Sequence, residues 1–293
     1  MTHSQQSAHL LMCRPEHFAV LYAINPWMDP KSWARDDRML TAASARQWSA
    51  LYRALTELGA TVELVPSVPA LPDLVFTANA ALVLNGTALL ARFRHPQRQA
   101  EEPHFEAALR ALQARGIVHS VARLPDGIVL EGAGDCVFDA SRDLFWMGYG
   151  PRSDRAAQAV VEDMFGVRTV ALELVDPRFY HMDTALSPLP SGELMYVPGA
   201  FTAAGRAEIE ARIARELRIE LAEQDANRFA ANAVCLGNDV LLSRCSEKLR
   251  AELVERGYRV RPTPLGPCTS AAPGGQPSEM RWPACLPGKS TTV

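Results

Sequence analysis

His181 and Asp183 stand two residues apart in Phe179-Tyr180-His181-Met182-Asp183-Thr184, just ahead of an apolar run from Ala185 to Val197. On a strand both side chains would point to one face. An imidazole beside a carboxylate at the lip of a buried run can hold a cationic ligand and exchange a proton with it. A surface histidine next to a turn-capping aspartate would give the same letters, so the case rests on what recurs elsewhere. Comparable polar clusters occur at Asn25 in Ile24-Asn25-Pro26-Trp27-Met28, at Asp73 and Asn79 in Pro72-Asp73-Leu74-Val75-Phe76-Thr77-Ala78-Asn79, at Glu131 and Asp135 in Glu131-Gly132-Ala133-Gly134-Asp135, and at Asn232. Each alone reads equally well as a turn former or a cap. Together they supply carboxylates, amides and one imidazole, a set that suits a flat, cationic, multi-donor ligand. A guanidinium is such a ligand, with five donors in a fork that carboxylates match in bidentate fashion.

Other chemistries fit less well. A metal held by His181, Asp183 and Glu131 would lack a second imidazole at ligand spacing, so no metal is expected. The glycines of Glu131-Gly132-Ala133-Gly134 lack the following Lys-Ser/Thr of a phosphate loop and the spacing of a dinucleotide fingerprint. No cofactor is expected.

The elements that would carry these clusters repeat along the chain. Five segments read as an amphipathic helix followed by a short strand, most with a closing glycine between them. They are Ala42 to Leu58 then Thr61 to Val65, Phe105 to Arg115 then Ile117 to Val121, Ser153 to Phe165 then Val167 to Leu174, Thr202 to Leu217 then Arg218 to Leu221, and Ser246 to Arg256 then Tyr258 to Val260. Hairpins lie between them. The clearest is Ala80 to Leu84, Asn85-Gly86, Thr87 to Leu90, because Asn-Gly suits a type I′ turn. Three more pair Cys136–Phe138 with Leu144–Met147, Thr184–Leu189 with Leu194–Val197, and Val234–Leu236 with Val240–Leu242. The N-terminal run from Leu10 through Val20 to Ile24 is expected to supply the remaining hairpin. Five hairpin–helix–strand units stacked about one axis would enclose a central cavity that every cluster can reach.

Composition narrows the classes. The chain has 293 residues, 48% of them apolar and 22% charged, with a formal net charge of -3. It can bury a large core, and interleaved signs without a basic excess argue against a nucleic-acid partner. No apolar run approaches a membrane span, so no membrane partner is expected and the protein reads as cytoplasmic. Six cysteines without a CxxC pair fit a reducing compartment.

These motifs, with Gly148-Tyr149-Gly150-Pro151-Arg152-Ser153-Asp154, together resemble the guanidine-modifying superfamily, over about residues 8 to 265. Dimethylargininases, arginine deiminases, arginine dihydrolases and amidinotransferases belong to it. The resemblance implies a five-bladed α/β propeller, called the pentein fold. It also implies attack of a cysteine thiolate on the guanidinium carbon of arginine or a methylated arginine, followed by hydrolysis of the covalent intermediate. It makes His181 the general acid and base and Glu131 the carboxylate that binds the guanidinium. Asp183 becomes a second guanidinium contact, and Asp73 and Asn79 line the substrate pocket with Asn25. Arg152 and Arg98 resemble the arginines that hold the substrate carboxylate. Arginine deiminases usually carry Asp where this chain has Asn79; with Asn25 this inclines the likeness towards arginine dihydrolases or the dimethylargininase-like branch.

The likeness stops near the C-terminus. The family nucleophile comes shortly after a Gly-Gly pair and usually straight after Lys. Here Cys285 follows Gly275 by ten residues, and Cys268 precedes the pair. Residues 266–293 hold five Pro and four Gly, a composition poorly suited to a sheet. The expectation is therefore one α/β-propeller domain over 1–265 and an atypical tail over 266–293, of which an altered reading frame is one explanation. Cys285 is the nucleophile this tail offers. Without rigid support for it the pocket would bind a guanidino compound and not turn it over. Cys13, Cys136, Cys235 and Cys245, in or beside apolar runs, read as buried structural thiols. Two further readings stay open: an amidinotransferase, and a non-catalytic binding protein of the same architecture. The sequence leaves the oligomeric state unknown.

Overall fold

The computed structural model describes residues 8–263 and the backbone of the strand Ala284–Leu286. The expected boundary near residue 265, Cys268 and most of the tail lie outside those residues.

The strands run in chain order as β1 (His9–Cys13), β2 (Thr61–Val65), β3 (Ala81–Leu84), β4 (Thr87–Leu90), β5 (Ser120–Ala122), β6 (Cys136–Asp139), β7 (Leu144–Tyr149), β8 (Arg168–Glu173), β9 (Leu186–Pro188), β10 (Leu194–Tyr196), β11 (Arg218–Glu220), β12 (Val234–Leu236), β13 (Asp239–Leu242), β14 (Arg259–Pro262) and β15 (Ala284–Leu286). They form five three-stranded sheets, each with the same plan. A middle strand pairs antiparallel with one neighbour and parallel with the other: β3-β4-β5, β6-β7-β8, β9-β10-β11, β12-β13-β14 and β15-β1-β2. The parallel neighbour always follows a helix, since a parallel return needs a crossover. The long helices are Asp37–Glu57, Glu102–Ala114, Ala157–Phe165, Ala203–Arg212 and Glu247–Glu255.

The middle strands are continuous apolar runs because both of their faces are covered. Phe145, Trp146 and Met147 of β7, Leu194 and Met195 of β10, and Val240, Leu241 and Leu242 of β13 are fully buried. At ~1.5–3 kcal/mol for each large side chain withdrawn from water, these runs are a main source of cohesion.

All four expected hairpins form, and Asn85 and Gly86 take positive φ of 50° and 73° as the type I′ turn requires. Two expectations are corrected. The helix expected from Thr202 to Leu217 stops at Arg212, where Ile213 adopts an extended backbone, and a separate 3-10 turn, Arg215–Leu217, follows. The N-terminal hairpin does not form either. The antiparallel partner of β1 is β15, with Leu10 opposite Cys285. A C-terminal strand thus completes the first sheet, and residues 14–29 become a covering loop instead of a strand.

Candidate active site

The clusters at Asp73 and Asn79, Glu131 and Asp135, His181 and Asp183, and Asn232 sit just ahead of the first strand of a hairpin, whereas Asn25 lies in the covering loop after β1. A 3-10 turn, Thr77–Asn79, precedes β3, and another, Gly132–Gly134, precedes β6. His181 itself is extended, at φ -128° and ψ 152°, and starts the one-turn helix Met182–Ala185 before β9. This corrects the expectation that His181 and Asp183 share a strand face. Thr184 closes the turn, donating through its N–H at 3.2 Å and its hydroxyl at 2.7 Å to the His181 carbonyl. Asp183 falls in the first turn of this helix and is half-buried.

His181, Glu131 and Asn79 converge, and all three are 0% exposed. His181 Nε2 lies 3.5 Å from Glu131 Oε2 and 3.4 Å from Asn79 Nδ2. Asn79 donates to the Glu131 carbonyl at 3.0 Å, which joins the two 3-10 turns. Gly134 makes that junction possible: a Cβ there would stand 2.2 Å from Asn79 Nδ2.

On its other side the imidazole meets Asp135, with Nδ1 and Oδ1 2.8 Å apart. Asp135 also accepts the Ser153 hydroxyl at 2.5 Å and the Met182 N–H at 3.3 Å. Ser153 in turn accepts the Glu131 N–H at 3.0 Å, so one hydroxyl bridges both acidic segments. Burial pushes the Asp135 carboxyl well up, Glu131 and Asp183 add to this, and the Ser153 hydroxyl and Arg152 oppose it. Whether the proton is assigned to the ring or to the acid, one proton lies between Nδ1 and Oδ1, which fixes the ring and turns Nε2 towards Glu131.

The arginines flank this core. Arg152 Nη1 contacts Glu131 Oε2 at 3.1 Å, Nη2 donates to the Ile24 carbonyl at 3.1 Å, and the guanidinium lies 4.7 Å from the Tyr180 ring centroid. Arg98 is more heavily engaged. It forms a buried pair with Glu101 at 2.7 Å and donates to Asn79 Oδ1 at 2.9 Å and to the Asp73 carbonyl at 3.2 Å. Burial raises the Glu101 carboxyl to about 7 against the pull of Arg98. Arg98 therefore acts first as a strut for Asn79 and Asp73. Asp73 Oδ2 accepts the Tyr22 hydroxyl at 2.8 Å, which fastens the covering loop to the site. Asn25 turns that loop, accepting the Trp27 N–H at 2.9 Å.

A cavity lies beneath the loop. Asp73, Arg98, Arg152 and Asn25 reach it, and Phe18, Trp27, Phe76 and Tyr180 give it apolar walls. Charged groups of both signs together with apolar walls suit a ligand with charged groups and a methylene stem. Strand β15 packs against both 3-10 turns and β3, so the backbone of Cys285 belongs to the strand bordering the site. Its side chain lies outside the described residues.

The other described cysteines differ. Burial, with Glu16 next, pushes the Cys13 thiol up to about 12. Burial pushes Cys136 well up and raises Cys245 as well. Cys13 and Cys136 are buried as expected, whereas Cys235 and Cys245 are only half-buried.

Sequence reasoning gave no role to Tyr22, Ser153 or Glu101 and placed Asp135 in a polar cluster without assigning it the imidazole. A signal for Asp135 was present: it follows Glu131 by four residues and directly precedes β6.

A profile described as N,N dimethylarginine dimethylhydrolase, eukaryotic, matches residues 14–252. The chain belongs to that family, within the guanidine-modifying superfamily whose fold is the pentein. It is 40% identical over 256 residues to the bifunctional arginine dihydrolase/ornithine cyclodeaminase ArgZ of Synechocystis sp., covering 87% of this chain and 35% of that protein. The chain thus spans about a third of the length of this bifunctional relative. It is 36% identical over 247 residues to the N(G),N(G)-dimethylarginine dimethylaminohydrolase of Mycobacterium tuberculosis, covering 84% of this chain and 76% of the relative. The crystal structure of the N-terminal domain of ArgZ bound to substrate, an arginine dihydrolase from cyanobacteria, superposes with a TM-score of 0.81 at 39% identity, covering 88% of this chain and 92% of that one. Among the described residues, no helix is long and apolar enough to cross a membrane.

Proposed function

We propose that this chain hydrolyses the guanidino group of arginine or a methylated arginine through a covalent intermediate on Cys285. The observation that carries the reading is the buried meeting of His181 Nε2 and Glu131 Oε2 at 3.5 Å, beside a cavity lined by Asp73, Arg98 and Arg152. The relatives named above as acting on arginine and dimethylarginine support it. We also infer that the five sheets stand as blades of a propeller around this cavity, which would bring five hairpin heads to one place.

The chemistry follows from the groups present. Glu131 holds the planar cation and stabilises positive charge as the carbon becomes tetrahedral. Asp73 and Asn79 shape the pocket, Asp183 adds negative charge at its edge, and Arg152, with Arg98 behind it, faces the carboxylate end. The Cys285 thiolate forms a C–S bond to the guanidinium carbon. The C–N bond to the departing nitrogen then breaks, and His181 gives that nitrogen its proton. In the second stage water attacks the same carbon, His181 takes the water's proton, and the C–S bond breaks to return the thiolate. Asp135 keeps the imidazole oriented through both stages.

Amidino transfer would use the same groups with an amine in place of water. Incubation with arginine, with and without glycine, separates the two: release of the nitrogen leaving group without an acceptor is expected, and strict dependence on glycine would overturn the hydrolytic reading. A purely binding role would make Asp135→Asn neutral for any turnover of arginine.

A further inference from the structure

Glu101 is fully buried and does not line the cavity. A buried carboxylate is costly to the fold unless it is paired and hydrogen-bonded, so its placement asks for a reason. It stands at the start of the helix Glu102–Ala114, where an acidic side chain commonly caps the first N–H groups. Here its side chain makes no capping hydrogen bond. It turns back three residues to Arg98 instead. Nε of Arg98 donates to Oε1 at 3.0 Å, and Nη2 donates to Oε2 at 2.7 Å. Two parallel bonds along one edge of a guanidinium fix its plane as well as neutralise its charge. The Phe93 ring, whose centroid lies 4.3 Å from the guanidinium carbon, backs that plane.

With that edge taken, Nη1 at the other end of the fork reaches Asn79 Oδ1 at 2.9 Å. A guanidinium carries donors only, so the amide must turn its oxygen to Arg98 and its nitrogen away. The nitrogen then falls where the Glu131 carbonyl accepts it at 3.0 Å and where His181 Nε2 stands at 3.4 Å. His181 Nε2 can accept an N–H only while it carries a lone pair. The direction of the Asn79 amide therefore bears on when the ring takes up a proton.

We propose that Glu101 is a positioning residue for the reaction: by clamping one edge of Arg98 it holds the Asn79 amide with its NH2 group towards His181 Nε2. This rests on the pocket acting on a guanidino group. Glu101 touches no substrate; it acts two side chains away, through Arg98 and Asn79. Neutralising a buried arginine would need a carboxylate nearby in any geometry. The fork does more, because it leaves Nη1 aimed at one amide oxygen.

The test is Glu101→Gln, an isosteric change that keeps one acceptor for Arg98 and loses the charged fork. The side-chain amide signals of the full chain are read by NMR with asparagine labelled in nitrogen-15, the Asn79 pair being identified by its loss in Asn79→Ala. Asn232, which donates to the Asp183 carbonyl at 3.2 Å at another hairpin head, is the internal control. In Glu101→Gln the Asn79 NH2 protons should exchange with solvent about 10-fold faster while those of Asn232 keep the native rate. With arginine as substrate, kcat should fall by about 10-fold or more with KM within about 3-fold of native, the mark of a group that acts on the reacting end. Native exchange at Asn79 overturns the proposal, and so does equal acceleration at Asn232, which would report general loosening. A native kcat in the variant of an active enzyme also overturns it, whether or not KM rises. If Glu101→Gln does not fold, Glu101→Asp, which withdraws the carboxylate by one methylene, should move the same readouts in the same directions. Faster exchange at Asn79 alone, in a chain whose native form does not turn over arginine, would uphold the clamp and strike only the hydrolytic reading.

Discussion

His181 Nδ1 and Asp135 Oδ1 meet at 2.8 Å in a buried pair, and this contact decides which ring nitrogen faces Glu131. With Nδ1 committed to Asp135, Nε2 is left facing Glu131 at 3.5 Å. An acid that holds an imidazole in one tautomer is worth far more to turnover than to stability. Asp135→Asn should lower kcat by about 10³-fold while the chain stays folded. Ser153→Ala, which removes the 2.5 Å donor to Asp135, should cost about 10-fold. Steady-state kinetics with a circular-dichroism control decides the point; an Asp135→Asn enzyme within a few-fold of the native rate would show that Asp135 is only structural.

Gly134 is held by space, not by backbone angle. A methyl group there would stand 2.2 Å from Asn79 Nδ2, and Asn79 is tied to Glu131 and Arg98. Gly134→Ala should push the amide aside, lower kcat/KM by about 10²-fold and destabilise the fold by ~1–3 kcal/mol as an overpacked site. Equilibrium urea unfolding beside an arginine assay reads both effects. Native activity in the variant would mean that Asn79 takes no part in positioning the site.

These two residues also mark how far the sequence could be read. The hairpins at Asn85-Gly86 and around Gly192 were legible because turn chemistry and short apolar runs are local. The helix starting at Met182 was not, because four residues carry too little period to separate a turn of helix from a strand. The partner of β1 was hidden for a different reason. Leu10 pairs with Cys285, and no local pattern reports a contact between the two ends of a chain. Glu131, His181 and Asn79 could be named as polar heads of hairpins. Their convergence depends on close packing at Gly134 and on Ser153 bridging two segments, neither of which spacing alone reveals.

His95, close to Arg152, gives the fold a pH signature. Burial, then the nearby Arg152, lowers its pKa from the usual histidine value of 6.5, with Arg94 and Arg98 adding and Glu131 opposing. The folded state thus prefers the neutral ring. That preference contributes stability above about pH 6.5 and is lost as pH falls through the lowered value, because the unfolded chain takes up the proton first. His95→Gln should make the melting temperature fall less steeply between about pH 6.5 and 5 than in the native chain. Parallel melting curves would show that His95 contributes nothing to acid sensitivity.

The most direct test of the account is covalent labelling with 2-chloroacetamidine, a guanidinium-like alkylating probe, followed by peptide mass spectrometry. Cys13, with its thiol pushed up to about 12, and Cys136, pushed up by full burial, are poor nucleophiles at neutral pH. The account expects a single amidine adduct on Cys285, suppressed by excess arginine and slowed by Glu131→Gln. An unlabelled Cys285, or an adduct on Cys13, Cys136, Cys235 or Cys245 instead, would contradict it.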